Sequence, residues 1–146
     1  MHFVVGGAFH GKKNWVIEHF CLNHKDYTWI NGYSKELSLD SFELTEVKTN
    51  NVVIEGVEQL IITNQQVLIS SISSFQTWVE KIKKWEDAFL NRQVIIIGTD
   101  MGKGIVPIDK QQRMNRDEVG RCFQVLSSQA REVSLIWYGL QQVLKA

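Results

Sequence analysis

Gly6-Gly7-Ala8-Phe9-His10-Gly11-Lys12-Lys13 fits G-x-x-x-x-G-K, a spacing suited to holding phosphate. Glycines let a short loop take conformations closed to larger residues. Successive backbone N–H groups can then converge on phosphate oxygens at the positive end of the following helix dipole. Residues Gly6 through Lys13 are therefore candidate phosphate ligands, with Lys12 reaching the β- and γ-phosphates. The eighth position departs from the pattern, because Lys13 stands where Ser or Thr would place a hydroxyl on Mg²⁺. An ammonium has three donors and no acceptor, so it cannot ligate a metal. Lys13 can point to solvent, replace part of the metal's charge on a nucleotide, or mark a loop that has lost phosphoryl transfer. Mg²⁺ remains admissible only with another ligand.

A second candidate is Glu55, which ends the apolar run Val52-Val53-Ile54. A carboxylate at such a strand end, on a strand next to the one that carries the phosphate loop, can order a metal's water shell or a nucleophile. The remaining chemistry-bearing residues form no set. The four histidines, at positions 2, 10, 19 and 24, combine with no cysteine or carboxylate at a metal-ligand spacing, and no metal site is assigned. His10, inside the loop, can donate to an anion when protonated. Neither a G-x-S-x-G elbow nor a Cys/His arrangement for thiol catalysis occurs.

These residues need a strand, a turn and a helix to position them, and the pattern supplies each. His2-Phe3-Val4-Val5 reads as a strand, Gly6-Gly7 as its turn, and 12–22 as a helix. Tyr27–Ile30 and Asn51–Gly56 read as further strands, and 57–69 as a helix. The strongest helical periodicity spans 74–91, with Phe75, Trp78, Val79, Ile82, Trp85 and Phe89 on an apolar stripe, Ser73 or Ser74 as cap, and Lys81, Lys83 and Lys84 on a solvated face. Val94–Ile97 is a β-branched run of the kind covered on both faces. A helix over 115–130 and a strand over 133–138 follow. Strands alternating with helices predict an α/β fold with a mainly parallel sheet, which binds ligands beyond the carboxyl ends of its strands.

The 146 residues, 44% of them hydrophobic, suit a single nucleotide-binding domain over 1–146 and exclude disorder as a whole-chain description. Sixteen basic residues balance sixteen acidic ones, so non-specific nucleic-acid or anionic-lipid binding is not expected. No segment has the length of a membrane span, the N-terminal run has the wrong order for a secretion signal, and Cys21 and Cys122 read as reduced thiols; a cytoplasmic location is expected.

The C-terminal third is the most specific part. Thr99-Asp100-Met101-Gly102-Lys103-Gly104-Ile105-Val106-Pro107 is followed by Arg116-Asp117, Gly120 and Phe123-Gln124. With the N-terminal loop and the Val52–Glu55 strand, this resembles the adenosylcobinamide kinase/adenosylcobinamide-phosphate guanylyltransferase family of cobalamin biosynthesis. That family has an N-E-V-G-x-G-I-V-P loop and an R-D-x-x-G-x-x-N-Q helix. The resemblance implies a P-loop (RecA-like) three-layer fold, a homo-oligomer (a trimer in the family), ATP or GTP as cofactor, and adenosylcobinamide as partner. It also implies a substrate loop at Asp100, Gly102, Lys103 and Gly104, and catalytic roles for Lys12 and Glu55.

The carry-over is partial. Lys13 replaces the metal-binding serine, Thr99-Asp100 replaces N-E, and Phe123 replaces the asparagine. Between Ile30 and Phe42, where the family carries its guanylylated histidine, there is none. A phosphoramidate intermediate needs an imidazole nitrogen, so guanylyl transfer is expected to be lost from a shortened member. The expected activity is phosphorylation of the aminopropanol hydroxyl of adenosylcobinamide, reduced or absent. The alternative is a catalytically degenerate module that holds nucleotide or corrinoid as a sensor or structural partner. If no nucleotide binds, the loop is only a structural turn.

Overall fold

Successive residues of the central strands enter two different hydrophobic layers, as the two-residue repeat of a pleated strand requires. The computed structural model describes residues 1–34, 37–39, 41–67, 72–102 and 104–146, with the side chains of 64–67 outside that description. In it Phe3, Val52, Ile54, Val94 and Ile96 lie in one layer, while Val4, Val53, Ile95, Ile97 and Ile136 lie in the other.

The elements, in chain order, are β1 (His2–Gly6), α1 (Lys12–His19), a 3₁₀ turn (Leu22–His24), β2 (Tyr27–Asn31), β3 (Asn51–Glu55), α2 (Val57–Val67) and α3 (Ile72–Asp87). They continue with β4 (Gln93–Thr99), α4 (Lys110–Gln129), β5 (Glu132–Trp137) and β6 (Leu140–Lys145). The strand order is β2-β3-β4-β1-β5-β6, parallel except for β6, which pairs antiparallel with β5. Residues of α2, α3 and α4 fill the first layer (Leu60, Ile61, Phe75, Trp78, Ile82, Val119, Leu126), and Val16, Phe20 and Leu22 cover the other face. Helices on both faces of a mainly parallel sheet give the expected three layers.

Several expected boundaries move, each for a local reason. The first helix ends at His19 rather than 22, because Cys21 takes a left-handed conformation (φ 53) that a continuing helix excludes. The last helix begins at Lys110 rather than 115: the Asp109 carboxylate accepts the Gln111 N–H at 2.9 Å, an N-cap worth about 1 kcal/mol. Ser73 and Ser74 lie inside α3, which ends at Asp87, so neither caps it. Phe89 falls past that end and is exposed, with the Arg92 guanidinium 4.3 Å from its ring rather than in the core. The expected helix over 57–69 is found as Val57–Val67, and residues 68 and 69 lie outside the described residues. The strand β6 was not expected. All its residues are exposed, so it carries no buried alternation to announce it.

The stretch before β3, polar in sequence, supplies buried Leu39, Phe42 and Leu44. Lys81, expected on a solvated face, donates to the Phe42 carbonyl at 3.0 Å and the Glu43 carboxylate at 2.9 Å, tying that stretch to α3.

Candidate functional site

β1 lies between β4 and β5, so the loop leaving its carboxyl end opens over the middle of the sheet. Gly6 is required there by close approach: a Cβ would lie 2.4 Å from the Ile136 carbonyl oxygen on β5. Gly11 caps α1 in the left-handed region (φ 84), and Phe9 sits there too (φ 62) with its ring in solvent. Lys12, the first residue of α1, folds back so that its Nζ donates to the Gly7 carbonyl at 2.7 Å. Burial lowers the Lys12 pKa, while Glu58 and Glu55 pull it up.

His10 is engaged by the turn after β5. Its Nδ1 accepts the Tyr138 backbone N–H at 3.0 Å, its carbonyl accepts from Gly139 at 2.8 Å, and its ring lies 4.8 Å from both Trp137 and Tyr138. The imidazole thus ties the phosphate loop to the β5–β6 turn.

Glu55 sits at the carboxyl end of β3. β4 lies between β3 and β1, so the expectation that its strand adjoins that of the phosphate loop is corrected. The strand ends still converge. A cavity of about 380 Å³ is lined by Ala8, Phe9, Gly11, Lys12, Lys13 and Asn14 on one side and Tyr33, Glu55, Ile97 and Thr99 on the other. The Trp29 indole N–H holds Glu55 Oε2 at 2.8 Å, and the Lys13 ammonium lies 5.1 Å from the centroid of the same Trp29 ring. Cavity, loop and Glu55 are therefore one place.

A buried carboxylate that the sequence reading passed over organises the far wall. Glu58, in the first turn of α2, accepts the Tyr33 hydroxyl on one oxygen and the Thr99 backbone N–H, at 3.0 Å, on the other. It clamps the carboxyl end of β4 to the turn after β2. Burial and this hydrogen bond raise the Tyr33 phenol to about 12, so it stays a neutral donor. One signal was readable: Glu58 follows Glu55 by three residues, placing both near the same end of the sheet. Nothing in the sequence announced the pairing of Trp29 with Glu55, which depends on β2 lying beside β3.

The described residues of the candidate substrate loop leave β4 next to the cavity without lining it. The Asp100 N–H donates to the Gly6 carbonyl at 2.9 Å, and Asp100 Oδ1 accepts the Gly102 N–H at 2.7 Å. Gly104 takes a positive φ of 101, Ile105 and Ile108 are exposed, and Lys103 lies outside the described residues. Arg116 donates to the Gly102 carbonyl and Arg113 to the Pro107 carbonyl at 3.0 Å, so α4 holds the loop by its main chain. Phe123 packs edge-on to Phe3 with ring centroids 5.1 Å apart and fills the space over Gly98, a core role.

The model of one protein family, described as cobinamide kinase / cobinamide phosphate guanyltransferase, matches residues 23–144. The chain belongs to that family. Among curated proteins no match is found. Membership brings with it the P-loop fold, use of a nucleoside triphosphate and a cobinamide kinase/guanyltransferase role in cobalamin biosynthesis. The matched stretch contains Glu55 and the Asp100–Gly104 loop of this cobinamide kinase relative. Gly6–Lys13 precedes it and rests on its own spacing and on the geometry above. Among the described residues no helix is long and apolar enough to cross a membrane, and no group of His, Cys, Asp and Glu could hold a metal ion.

Proposed function

We propose that this protein binds ATP or GTP in the cavity between the phosphate loop and Glu55 and phosphorylates the aminopropanol hydroxyl of adenosylcobinamide. We also propose that guanylyl transfer has been lost and that the chain works as a homo-oligomer. The observation that carries the reading is the convergence of Lys12 and Glu55 on one cavity at the carboxyl ends of the parallel strands.

In this reading the Gly6–Lys13 N–H groups and Lys12 hold the phosphates. Lys12 moves from the Gly7 carbonyl to the transferring group, where its charge offsets what develops on the phosphoryl oxygens. The corrinoid hydroxyl oxygen bonds to the γ-phosphorus as the bond from that phosphorus to the β–γ bridging oxygen breaks, releasing the nucleoside diphosphate. Glu55, with one oxygen anchored by Trp29, presents the other to the hydroxyl and takes its proton. The Asp100–Gly104 loop, fixed to α4 by arginines, offers the adjoining surface for the corrinoid.

A guanylylated intermediate needs a free imidazole. No histidine follows His24 in the chain, and His10, within the loop, already accepts from Tyr138 through Nδ1. A binding module without chemistry is the second reading, favoured by Lys13 at the position of the metal-binding hydroxyl. Incubation with adenosylcobinamide and each nucleotide, followed by mass analysis of the corrinoid, separates the two. Adenosylcobinamide phosphate is the expected product. Nucleotide binding with no phosphorylated corrinoid would leave the module, and an acid-labile GMP–protein adduct would overturn the loss of guanylyl transfer.

A further inference from the structure

Resting on the nucleotide reading, we infer that this site binds nucleoside triphosphate without a divalent cation, the Lys13 ammonium over Trp29 standing in for part of the metal's charge.

Three observations carry it. The phosphate loop, Gly6 to Lys13, contains no hydroxyl side chain, so it offers Mg²⁺ none of the oxygen ligand that such a loop ordinarily supplies. In that place Lys13 brings a fixed positive charge into the cavity wall that Lys12 and Glu55 share. The charge is also positioned rather than loose: Nζ lies 5.1 Å from the Trp29 ring centroid, within cation–π range, and the indole is itself fixed by its 2.8 Å bond to Glu55 Oε2. Across the cavity the Tyr33 hydroxyl and the Thr99 backbone N–H are both directed to Glu58. A divalent ion placed beside the loop would meet the Lys13 ammonium where a hydroxyl ordinarily ligates it, and of the two Glu55 oxygens one is already held by the indole N–H. A polyphosphate meets two ammonium groups on adjacent residues, Lys12 and Lys13. The loop thus offers Mg²⁺ no ligand of its own, while it offers a bare, fully anionic triphosphate two positive charges.

Calorimetric titration of the whole chain with ATP and with GTP, each in excess Mg²⁺ and in EDTA, tests this. Dissociation constants in the two conditions should agree within about threefold, well short of the tenfold that one lost strong contact produces. Lys13→Ser should weaken binding in EDTA by about tenfold and recover in Mg²⁺, since the hydroxyl restores a ligand while the stand-in charge is gone. Lys13 is exposed, and an unchanged melting temperature certifies that variant's fold. Trp29→Phe keeps an aromatic face under the ammonium and should retain more EDTA binding than Trp29→Leu. Wild-type binding that disappears in EDTA, or a Lys13→Ser variant that binds as well as wild type in EDTA, would overturn the inference and leave the nucleotide site standing. No binding under either condition would overturn both.

Discussion

The two ends of the sheet hold comparable sets of charged groups and differ in whether those groups are used up by the fold. At the amino ends a cavity of about 530 Å³ is lined by Met1, His2, Lys25, Asn50, Glu86, Arg92, Arg131 and Glu132. Its buried charges are largely spent on one another. The Met1 ammonium pairs with Glu86, whose other oxygen accepts the Val94 N–H at 2.7 Å. His2 bridges Glu132 at 2.9 Å and Ser134 at 2.8 Å, and Arg92 caps the Trp85 carbonyl while stacking on that ring. At the carboxyl ends the cavity is smaller, about 380 Å³, yet Lys12 rests on a main-chain carbonyl and Lys13 on an indole face. Both are contacts that an incoming anion can replace. Volume therefore does not locate this site. The proposed function rests instead on cations held by exchangeable partners beside a glycine loop.

The comparison breaks most visibly at Lys12. Lys12→Ala should lower corrinoid phosphorylation by on the order of 10²–10³, the usual effect of removing one electrostatic donor from a catalytic site, and should leave the melting temperature near wild type. Activity within a few-fold of wild type would move the site elsewhere. Glu86→Ala should do the reverse. It strands a buried ammonium and a backbone N–H, costs about 3–5 kcal/mol of stability by denaturant titration, and leaves nucleotide affinity in the folded protein unchanged. Affinity that falls with it would couple the two ends. Glu58→Ala sits between: freeing the Tyr33 hydroxyl and the Thr99 N–H should cost about 1–3 kcal/mol and also weaken nucleotide binding, because the cavity's far wall loosens.

The smallest effect is a pH dependence at the amino end. Burial holds the His2 pKa below its ordinary 6.5, although Glu132 pulls it upward. As pH falls below about 6.5 the unfolded chain takes up that proton and the folded chain does not, so stability declines on acidification. The melting temperature should fall between pH 7 and pH 5 by more in the wild type than in His2→Gln. Equal slopes would show that folding leaves the His2 pKa unshifted.

What the chain disclosed in advance follows from how local each signal is. The phosphate loop, β1, β3 and β4 were readable because their glycines and β-branched runs are contiguous, and the register of parallel strands then brings their ends together. The apolar stripe of α3 marked its buried face through Ile82. It overran the end of the helix, because Phe89 continues the spacing without continuing the burial. Glu58, Trp29 and Tyr33 went unread because their roles lie in long-range pairs. A carboxylate clamping Thr99 is 41 positions from its partner, and no periodicity encodes that. His10 was read as a residue that could meet an anion. Its spacing placed it in the glycine loop, but the contact that orients it, Tyr138 N–H to Nδ1, comes from a turn whose second strand has no buried face to betray it.

Amide hydrogen exchange with and without saturating ATP or GTP, followed across the whole sheet, tests most directly which end holds the nucleotide. Protection confined to Gly6–Lys13 and the Ile97–Thr99 end of β4, with Asn50, Asn51, Gln93 and Glu132 unchanged, is the predicted result. Protection at those amino-end residues with the phosphate loop unaffected would contradict it.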